Sequence, residues 1–434
     1  CVFALVQRPP RGSAMAAIRH LAAAATTAAG IAKVASPSQC DGKEAAPFPV
    51  RAGSEVVLVQ VLHRHGARTP FRSLPGMPEP GTPRWDSLWG RCRVPASRAA
   101  PGAAAAAAPS LTSEGSGGTS SNGVHGRYGS CARGQLTRLG EWQLEQLGSF
   151  LRRQYLQGVE GGPLVSPEFP QSGELKVVST KTSRTILSAQ SLLRGLFPEA
   201  PEMDLEVLVK TPGGPDGDIL IPNHGKCDRL RQLFHEEKKK VDSALLSTST
   251  RIRLKEALGP TTENLSLIMA GDPLRSLKGH GLGLPSGVEC SLSDDLDLCG
   301  HALVEAALGG HGSQELKRLS SGPLLSEMHE QIMAVVEGRP CPRLVVRSAH
   351  DVTVCGLLVA LDLQLHSWPE FGSNIIIELL RNQASGQFSV RVVCYDGMPT
   401  SEGAAIDVEV PLKSWTNLVT PLVLREEDYF QQCR

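Results

Sequence analysis

Short runs of apolar, β-branched residues alternate with segments of helical periodicity along most of the chain. Residues 55–62 form such a run and predict a buried strand. Leu144, Leu147 and Leu151 recur at helical spacing and predict a helix over residues 136–155. The same patterns predict strands at 174–179, 343–348, 374–380 and 388–395, the last two as a hairpin, and helices at 183–197 and 352–361.

The alternation of strands and helices predicts an α/β fold with a mainly parallel sheet. Charge-rich helical sequence from about residue 226 to 337 interrupts the alternation and predicts a helical cap. We therefore expect an α/β core made of residues 49–225 and 320–434, and a mainly helical cap at 226–319.

Two segments differ in composition from the rest of the chain. Residues 1–40 contain no Asp or Glu, and a basic start rich in Ala and Thr is typical of an organelle transit peptide. A disordered start or a secretory signal would have a similar composition, and Met15 would suit an initiator. We expect residues 1–48 to be a targeting or disordered segment. Residues 93–130 include an all-alanine stretch at 103–108 and predict a low-complexity surface insertion.

Composition excludes several classes of function. Lysine plus arginine number 44 and aspartate plus glutamate 44, so the formal net charge is zero, which argues against nucleic-acid binding. The chain has no run of about 18 strongly apolar residues, so we expect no stable membrane span. The 11 cysteines include no C-x-x-C pair, which argues against a structural zinc site and leaves the disulfide pairing open.

The densest cluster of reactive side chains, His63-Arg-His-Gly-Ala-Arg-Thr-Pro70, follows the first predicted strand. Ligand sites of open α/β sheets lie beyond the carboxyl ends of their strands. Gly66 has no Cβ, so neighbouring side chains can converge on a ligand. Arg64 and Arg68 carry planar guanidinium groups on either side of His65, and these groups match phosphate oxygens. The same residues would also suit a solvated basic turn, and the orientation of His63 stays open.

The segment Arg64-His-Gly-x-Arg68-x-Pro70 resembles the signature of the histidine acid phosphatases, the phosphohistidine branch of the phosphoglycerate mutase-like fold. Two further features are similar to that family. His350-Asp351 follows the strand predicted at 343–348, and Arg184 lies at the start of the helix that follows the strand predicted at 174–179. Their order and their placement between strands and helices make the set more specific than any one member.

Within this family the chain is most similar to the lysophosphatidic acid phosphatase type 6 branch, from about residue 56 to the end. The similar stretches are residues 134–140, 221–232, 349–353, 368–371 and 429–433. The resemblance is thin between residues 236 and 321. His63 departs from the family by standing where an apolar residue is usual, and the 93–130 insertion departs from its cap.

The resemblance implies a three-layer α/β/α sandwich with a helical cap and a set of six site residues. It implies that His65 is the nucleophile, that Asp351 is the proton donor, and that phosphate is bound by Arg64, Arg68, Arg184 and His350. We expect no cofactor and no metal, because the arginines supply the positive charge that transferring a phosphoryl group requires. The carboxylates of Asp294, Asp295 and Asp297 are expected to form a solvated helix start rather than a metal site.

The function that this implies is hydrolysis of phosphate monoesters, with lysophosphatidic acid converted to monoacylglycerol and phosphate. The alternatives are a phosphatase for sugar or inositol phosphates, a phosphate-transferring mutase, and a non-catalytic module that binds phosphate or lipid. We expect a monomer whose partner is a small phosphate monoester. A mitochondrial location follows mostly from the resemblance, with the secretory pathway as the alternative.

Overall fold

The computed structural model describes residues 53–93, 128–157, 162–211, 218–245, 249–262, 265–310, 312–365, 367–400 and 403–434. The predicted N-terminal segment at 1–48 and most of the predicted insertion at 93–130 lie outside these residues. The two ends of that insertion are described, and they pair with each other as short antiparallel strands.

The strands are β1 (Ser54–Arg64), β2 (Arg91–Arg93), β3 (Tyr128–Ser130), β4 (Leu175–Ser179), β5 (Val209–Lys210), β6 (Leu344–Ala349), β7 (Asn374–Asn382), β8 (Phe388–Tyr395) and β9 (Ile406–Pro411). Within the described residues, a seven-stranded sheet has the order β5-β4-β6-β1-β7-β8-β9. Strands β5, β4, β6 and β1 are parallel, and β7, β8 and β9 extend the sheet in antiparallel fashion. The predicted α/β fold is confirmed.

The helices are α1 (Pro83–Trp89), α2 (Arg138–Tyr155), α3 (Ser183–Leu196), α4 (Glu202–Leu208), α5 (Asp228–Leu245), α6 (Ser249–Leu258), α7 (Leu267–Gly279), α8 (Cys290–Ala307), α9 (Gln314–Val336), α10 (Asp351–Ala360), α11 (Leu412–Val419) and α12 (Glu426–Gln432), with a 3₁₀ turn at Pro260–Thr262. In the part of the chain that the structure describes, no helix combines the length and apolar character that crossing a bilayer would require.

Alternate residues of the central strands point to opposite faces of the sheet and build two hydrophobic cores. Leu58 and Leu62 of β1 pack with residues of α9, α10 and α11 on one face. Val59 and Val61 pack with residues of α2 and α3 on the other face. Successive side chains of β1 point to opposite faces of the sheet, and both faces are covered by helices. The middle of β1 is therefore a nearly continuous apolar run.

Helices α6, α7 and α8 share a smaller hydrophobic core that is separate from the two faces of the sheet. Its buried members include Leu254, Leu274, Leu292 and Leu296, together with Leu74 from the loop that follows β1. The predicted domain boundaries stay a prediction.

Strand β1 is longer than the sequence pattern indicated, and the difference bears on the site. The predicted end at Leu62 is wrong by two residues, because His63 pairs with Ser348 and Arg64 pairs with Ala349 of β6. The cluster of reactive side chains therefore begins inside the strand, where the ladder fixes its backbone, and His65 is the first residue beyond it.

Among the described residues, two disulfides answer the pairing question that the sequence left open. Cys92–Cys131 links the middle residue of β2 to the residue after β3, across 39 positions of the chain. Cys227–Cys433 joins the residue before α5 to the residue after α12, across 206 positions. The cysteines described as free are Cys290, Cys299, Cys341, Cys355 and Cys394.

Candidate active site

All six predicted site residues lie at the carboxyl ends of three adjacent parallel strands. Arg64 is the last residue of β1, His65 follows it directly, and the loop beyond them carries Arg68. Arg184 lies in the first turn of α3, after β4, and His350 and Asp351 connect β6 to the start of α10. Because β4, β6 and β1 are neighbours in the sheet, these side chains converge at one edge.

His65 is buried, and its ring orientation is fixed by a local hydrogen bond. Its Nδ1 lies 2.9 Å from the carbonyl oxygen of Gly66, which can only accept, so Nδ1 carries the proton. The lone pair of the neutral ring is therefore on Nε2. Burial, followed by the charges of Arg64, Arg68 and other nearby cations, holds the pKa of His65 well below its ordinary value. The imidazole is neutral even in mildly acidic solution.

Gly66 is needed because the loop after β1 packs directly on α2. A Cβ at this position would lie 2.2 Å from the carbonyl oxygen of Gly140, a distance that no side chain tolerates. Its backbone N–H also donates to Ser188 Oγ of α3 at 3.2 Å. The sequence suggested that this glycine allows convergence of side chains; the structure shows that it allows close contact with a helix.

Arg64 is held on three sides. One guanidinium nitrogen donates to the carbonyl oxygen of Pro369, and Nη2 lies 2.9 Å from Asp351 Oδ2. The guanidinium carbon lies 4.2 Å from the centre of the Phe371 ring, a cation–π distance. The Pro369–Phe371 segment therefore fixes a cation directly beside His65.

Arg68 is held by a residue of the cap helices. Its Nη2 donates to Asp272 Oδ1 of α7 at 2.6 Å, and its Nη1 donates to the Thr69 carbonyl oxygen at 3.0 Å. Its guanidinium carbon lies 3.9 Å from the centre of the Phe71 ring. Phe71 is 40% exposed, so this ring also forms part of the surface around the site.

Arg184 and His350 contact each other. Arg184 Nη2 donates to His350 Nδ1 at 3.3 Å, and His350 Nε2 therefore carries the proton and donates to Thr180 Oγ1 at 3.0 Å. Burial, then the charge of Arg184, lowers the pKa of His350 to about 4. Burial, then the charge of Arg68, lowers the pKa of Arg184 to about 10, which leaves this guanidinium charged in neutral and acidic solution. The ring centres of His350 and His65 are 5.7 Å apart.

The three arginines have hydrogen-bond donors to spare. The Nε atoms of Arg64, Arg68 and Arg184 are buried, and none has an acceptor among the residues that the structure describes. A buried N–H without an acceptor is costly, and a charged one more so. Buried Nε atoms of this kind also occur outside the site, as at Arg318, so the distinctive feature is that three guanidinium charges surround one neutral imidazole. An anion with several oxygens would complete such a site.

Asp351 is ionised in the free site. Its Oδ1 accepts from the Val352 backbone N–H at 2.9 Å and its Oδ2 accepts from Trp368 Nε1 at 3.2 Å, at the N-terminus of α10. Burial alone would raise the pKa of this carboxyl, but the charges of Arg64 and Arg68 outweigh that effect and lower the pKa below its ordinary value. A proton on Asp351 therefore requires that these positive charges be compensated first.

His63 lies inside β1 and is fully buried. Its Nδ1 donates to the Arg64 carbonyl oxygen at 3.0 Å, and its Nε2 has no partner among the described residues. Burial lowers the pKa of His63 to about 4, against the small opposing effect of that hydrogen bond. His63 is thus a neutral residue that contacts the backbone of the site.

Sequence reasoning missed four side chains that hold the site: Phe71, Asp272, Trp368 and Phe371. Trp368 and Phe371 lie in a stretch that resembles the family, but nothing in the pattern indicated that they touch Arg64 and Asp351. Asp272 stands beside Pro273 inside α7, and only the structure shows that this acid is buried, at 6% exposure.

The acidic group of α8 forms ion pairs with neighbouring helices. Asp294 and Asp297 lie 2.8 Å and 3.3 Å from Lys278 Nζ, and Asp295 lies 2.6 Å from Arg253. Asp297 also accepts from Arg275 Nη1 at 2.9 Å and is only 15% exposed. The expectation of a solvated helix start is therefore wrong for Asp297, because it is mostly buried together with Arg275. Among the described residues, no group of three or more His, Cys, Asp or Glu is arranged to hold a metal ion.

The chain matches the family model described as the histidine phosphatase superfamily (branch 2), over residues 55–266 and 302–394. The chain belongs to this superfamily. The match includes all six predicted site residues and omits α7, where Asp272 lies. The predicted family and the predicted enzyme class, a phosphoric monoester hydrolase, are confirmed.

Several similar proteins are named as phosphatases. The "Probable acid phosphatase" of Schizosaccharomyces pombe is 28% identical over 278 residues, which cover 59% of this chain and 57% of that protein. The lysophosphatidic acid phosphatase type 6 of Bos taurus is 25% identical over 387 residues, which cover 87% of this chain and 86% of that protein. The alignment thus spans little more than half of the yeast protein and most of the bovine one.

Among solved structures, the apo form of Hafnia alvei phytase is similar with a TM-score of 0.57. The match covers 89% of this chain and 100% of the phytase, at 12% sequence identity. At that identity the likeness shows the shared histidine phosphatase fold and nothing about the substrate.

Proposed function

We propose that this protein is an acid phosphatase that hydrolyses phosphate monoesters through a phosphohistidine intermediate on His65. The observation that carries the proposal is the neutral imidazole of His65 among the charged guanidinium groups of Arg64, Arg68 and Arg184. A phosphoryl group would place its oxygens against these cations, and it meets a nucleophile that needs no deprotonation.

In the first step the Nε2 lone pair of His65 attacks phosphorus, and the bond between phosphorus and the ester oxygen breaks. Arg64, Arg68 and Arg184 hold the non-bridging oxygens, where charge spreads in the transition state. His350 joins them when its Nε2–H, which donates to Thr180 Oγ1 in the free site, exchanges that partner for a phosphoryl oxygen. Asp351 gives a proton to the leaving alkoxide. Since Asp351 lies 2.9 Å from Arg64, the proton donor is next to a group that binds the phosphoryl oxygens.

In the second step a water molecule attacks phosphorus, the bond between nitrogen and phosphorus breaks, and Asp351 takes the proton of that water. Inorganic phosphate leaves and the neutral imidazole is restored. The carboxylate that the first step created is thus the base that the second step needs.

Asp351 has to become protonated after the substrate binds. Its pKa is low in the free site because arginines surround it, and an anionic phosphoryl group placed among those arginines offsets their charge. A monoester that arrives as the monoanion also brings a proton with it. Both effects favour turnover in acidic solution.

For the substrate we propose lysophosphatidic acid, with monoacylglycerol as the product and thus a role in lipid metabolism. The name of the bovine relative, which aligns over most of both chains, supports this choice. The half-exposed ring of Phe71 beside Arg68 also supports it, because it places apolar surface next to the phosphate-binding groups.

The covalent step is tested by mixing the protein with a ³²P-labelled monoester and quenching in alkali, in which a phosphoramidate bond to histidine survives. We expect label on His65 in the wild type and none in His65→Ala. Turnover by His65→Ala at the wild-type rate would contradict the mechanism. A panel of lysophosphatidic acid, an inositol phosphate, a sugar phosphate and an aryl phosphate tests the substrate, and the highest kcat/KM is expected for the lipid.

Location and assembly are part of the same proposal. Disulfides persist in oxidising compartments, so the two observed pairs favour the secretory alternative over a mitochondrial transit peptide. Imaging of the full chain with a C-terminal fluorescent fusion distinguishes the two compartments. We propose that the protein is a monomer, and light scattering of the purified chain tests this.

A further inference from the structure

Asp272 joins the cap helices to the loop that carries the phosphate-binding residues. Its Oδ1 accepts from Arg68 Nη2 at 2.6 Å, and its Oδ2 accepts from the Phe71 backbone N–H at 2.8 Å. One carboxylate thus holds two points of the same loop, three residues apart. It is buried, and the segment that matches the family model stops before it and resumes after it.

We propose that Asp272 is a positioning residue that fixes Arg68 in the orientation that binds phosphate, a proposal that rests on the phosphatase function above. With Asp272 on Nη2, the Thr69 carbonyl on Nη1 and the Phe71 ring against its face, the guanidinium of Arg68 is held on three sides. A long side chain that is already fixed loses little conformational freedom when the ligand binds, which strengthens binding.

The charge of the Asp272 carboxylate and its hydrogen bonds to the loop have opposite effects on phosphate binding, so an experiment can tell them apart. Asp272 is an anion next to an anion-binding site, and its charge alone would weaken phosphate binding through repulsion. Removing the charge would then strengthen binding, whereas losing the orientation of Arg68 would weaken it. The proposal requires that orientation outweigh repulsion.

The test measures the affinity of the full chain for inorganic phosphate by titration calorimetry, together with kcat and KM for p-nitrophenyl phosphate. Asparagine at this position can accept only one of the two hydrogen bonds. We expect Asp272→Asn to raise the Kd for phosphate about tenfold, with most of the change in kcat/KM arising from KM.

A double-mutant cycle separates positioning from general structural damage. If Asp272 acts through Arg68, Asp272→Asn should change the phosphate Kd by less than about twofold in the Arg68→Ala background. A purely structural role would give the same change in both backgrounds and would overturn the proposal, as would tighter phosphate binding by the single variant.

Asp295→Asn is the matched control. It removes another cap ion pair of the same 2.6 Å length, with Arg253, which does not touch the site loop. Its phosphate Kd should stay within about twofold of the wild-type value.

If Asp272→Asn does not fold, Asp272→Glu keeps the charge and moves the carboxylate by one methylene. Its Kd should lie between those of the wild type and about tenfold weaker, and a wild-type Kd would overturn the proposal.

Calorimetry reports binding without turnover, so the two proposals can fail separately. A wild-type protein that hydrolyses no monoester, but loses phosphate affinity through Asp272→Asn only when Arg68 is present, would contradict the function and leave the positioning role standing. Normal hydrolysis with an unchanged Kd in the variant would do the reverse.

Discussion

At the residue scale, the same arginines act in opposite ways on His65, the proposed nucleophile, and on Asp351, the proposed proton donor. His65 is neutral because burial and arginines depress its pKa, and the same arginines keep Asp351 ionised. One set of positive charges therefore favours attack and opposes protonation of the leaving group. Only the substrate can change that balance, because it brings the negative charge that the arginines bind.

Replacing Asp351 by Asn should affect esters according to their leaving groups. An alkyl phosphate expels a strongly basic alkoxide that needs a proton, so we expect kcat/KM to fall by about 10²–10⁴. The p-nitrophenolate of an aryl ester leaves without one, and its loss should be at least about tenfold smaller. The measurement is kcat/KM for both esters with wild type and variant, because this constant reports transfer to His65 and excludes the later attack of water, in which Asp351 also takes part. Equal losses of kcat/KM on the two esters would show that Asp351 is not the proton donor.

The kcat/KM for an alkyl ester should fall as pH rises through the second ionisation of the substrate, at about pH 6. Below that pH the monoanion carries a proton into the site and His65 is still neutral, since its pKa is well below the ordinary value. The measurement is kcat/KM between about pH 5 and 8. A flat profile over this range would contradict the proposed source of the proton.

At the scale of single elements, strand β7 carries a buried acid whose pKa the fold raises. Glu378 accepts from the Tyr155 hydroxyl at 2.8 Å, and its second oxygen lies 3.6 Å from Arg391 Nη1. Burial raises the pKa of Glu378 to about 7, although Tyr155 and Arg391 act in the opposite direction. The folded state thus keeps a proton that the unfolded chain releases above its lower pKa.

The sign of the stability effect follows from that difference in proton binding. As pH rises from about 4.5 to 7, the unfolded state loses its proton first, so stability falls, and the full cost is present above about pH 7. Glu378→Gln keeps the acceptor for Tyr155 and removes the charge. We expect its free energy of unfolding in urea to exceed that of the wild type by about 3 kcal/mol at alkaline pH, and by little near pH 5.

The control for this prediction is Glu55→Gln. Glu55 lies 2.6 Å from Arg381 at the far end of β1, in an exposed ion pair. Its removal should change stability by less than about 1 kcal/mol, without the pH trend expected for Glu378. A Glu378→Gln protein that tracks the wild type at every pH would contradict a raised pKa.

The same elements show what the sequence could predict. Buried strands such as β1 and β6 are recognisable because both faces are apolar, and the strand ends then indicate where the site residues lie. The end of β1 was misplaced because His63 and Arg64 are polar, yet the ladder to β6 holds them. Two consecutive polar residues predict a loop, but here their backbone pairing with β6 keeps them in the strand.

At the scale of the whole molecule, the site depends on contacts between segments that are remote in sequence. The order of β4, β6 and β1 brings residues 65, 184 and 350 together, and the family motif made that convergence predictable. The Arg68–Asp272 pair joins positions 204 residues apart, with no motif on the acidic side. A single sequence carries no signal for such a pair, because its partner is defined only by how the cap helices pack on the core.

The two disulfides stabilise the molecule in different ways, and removing each should have a different result. Cys227–Cys433 lies in a small hydrophobic cluster with Leu230, Leu319 and Tyr429, away from the site residues. Cys131 precedes Ala132, whose carbonyl oxygen accepts from the Thr69 hydroxyl of the site loop. The first bond therefore supports the fold and the second also supports the loop that carries Arg68.

We expect the Cys227→Ser/Cys433→Ser double variant to lose about 2–5 kcal/mol of unfolding free energy with an unchanged KM for p-nitrophenyl phosphate. Loop entropy makes this loss about 1.5 kcal/mol larger than that of Cys92→Ser/Cys131→Ser, since the closed segments span 206 and 39 positions. The Cys92→Ser/Cys131→Ser variant should raise KM, because the contact of Ala132 with Thr69 is no longer fixed. Urea unfolding and steady-state kinetics of both variants decide this. If KM rose on loss of Cys227–Cys433 but not on loss of Cys92–Cys131, then Cys92–Cys131 would not be the disulfide that supports the site loop.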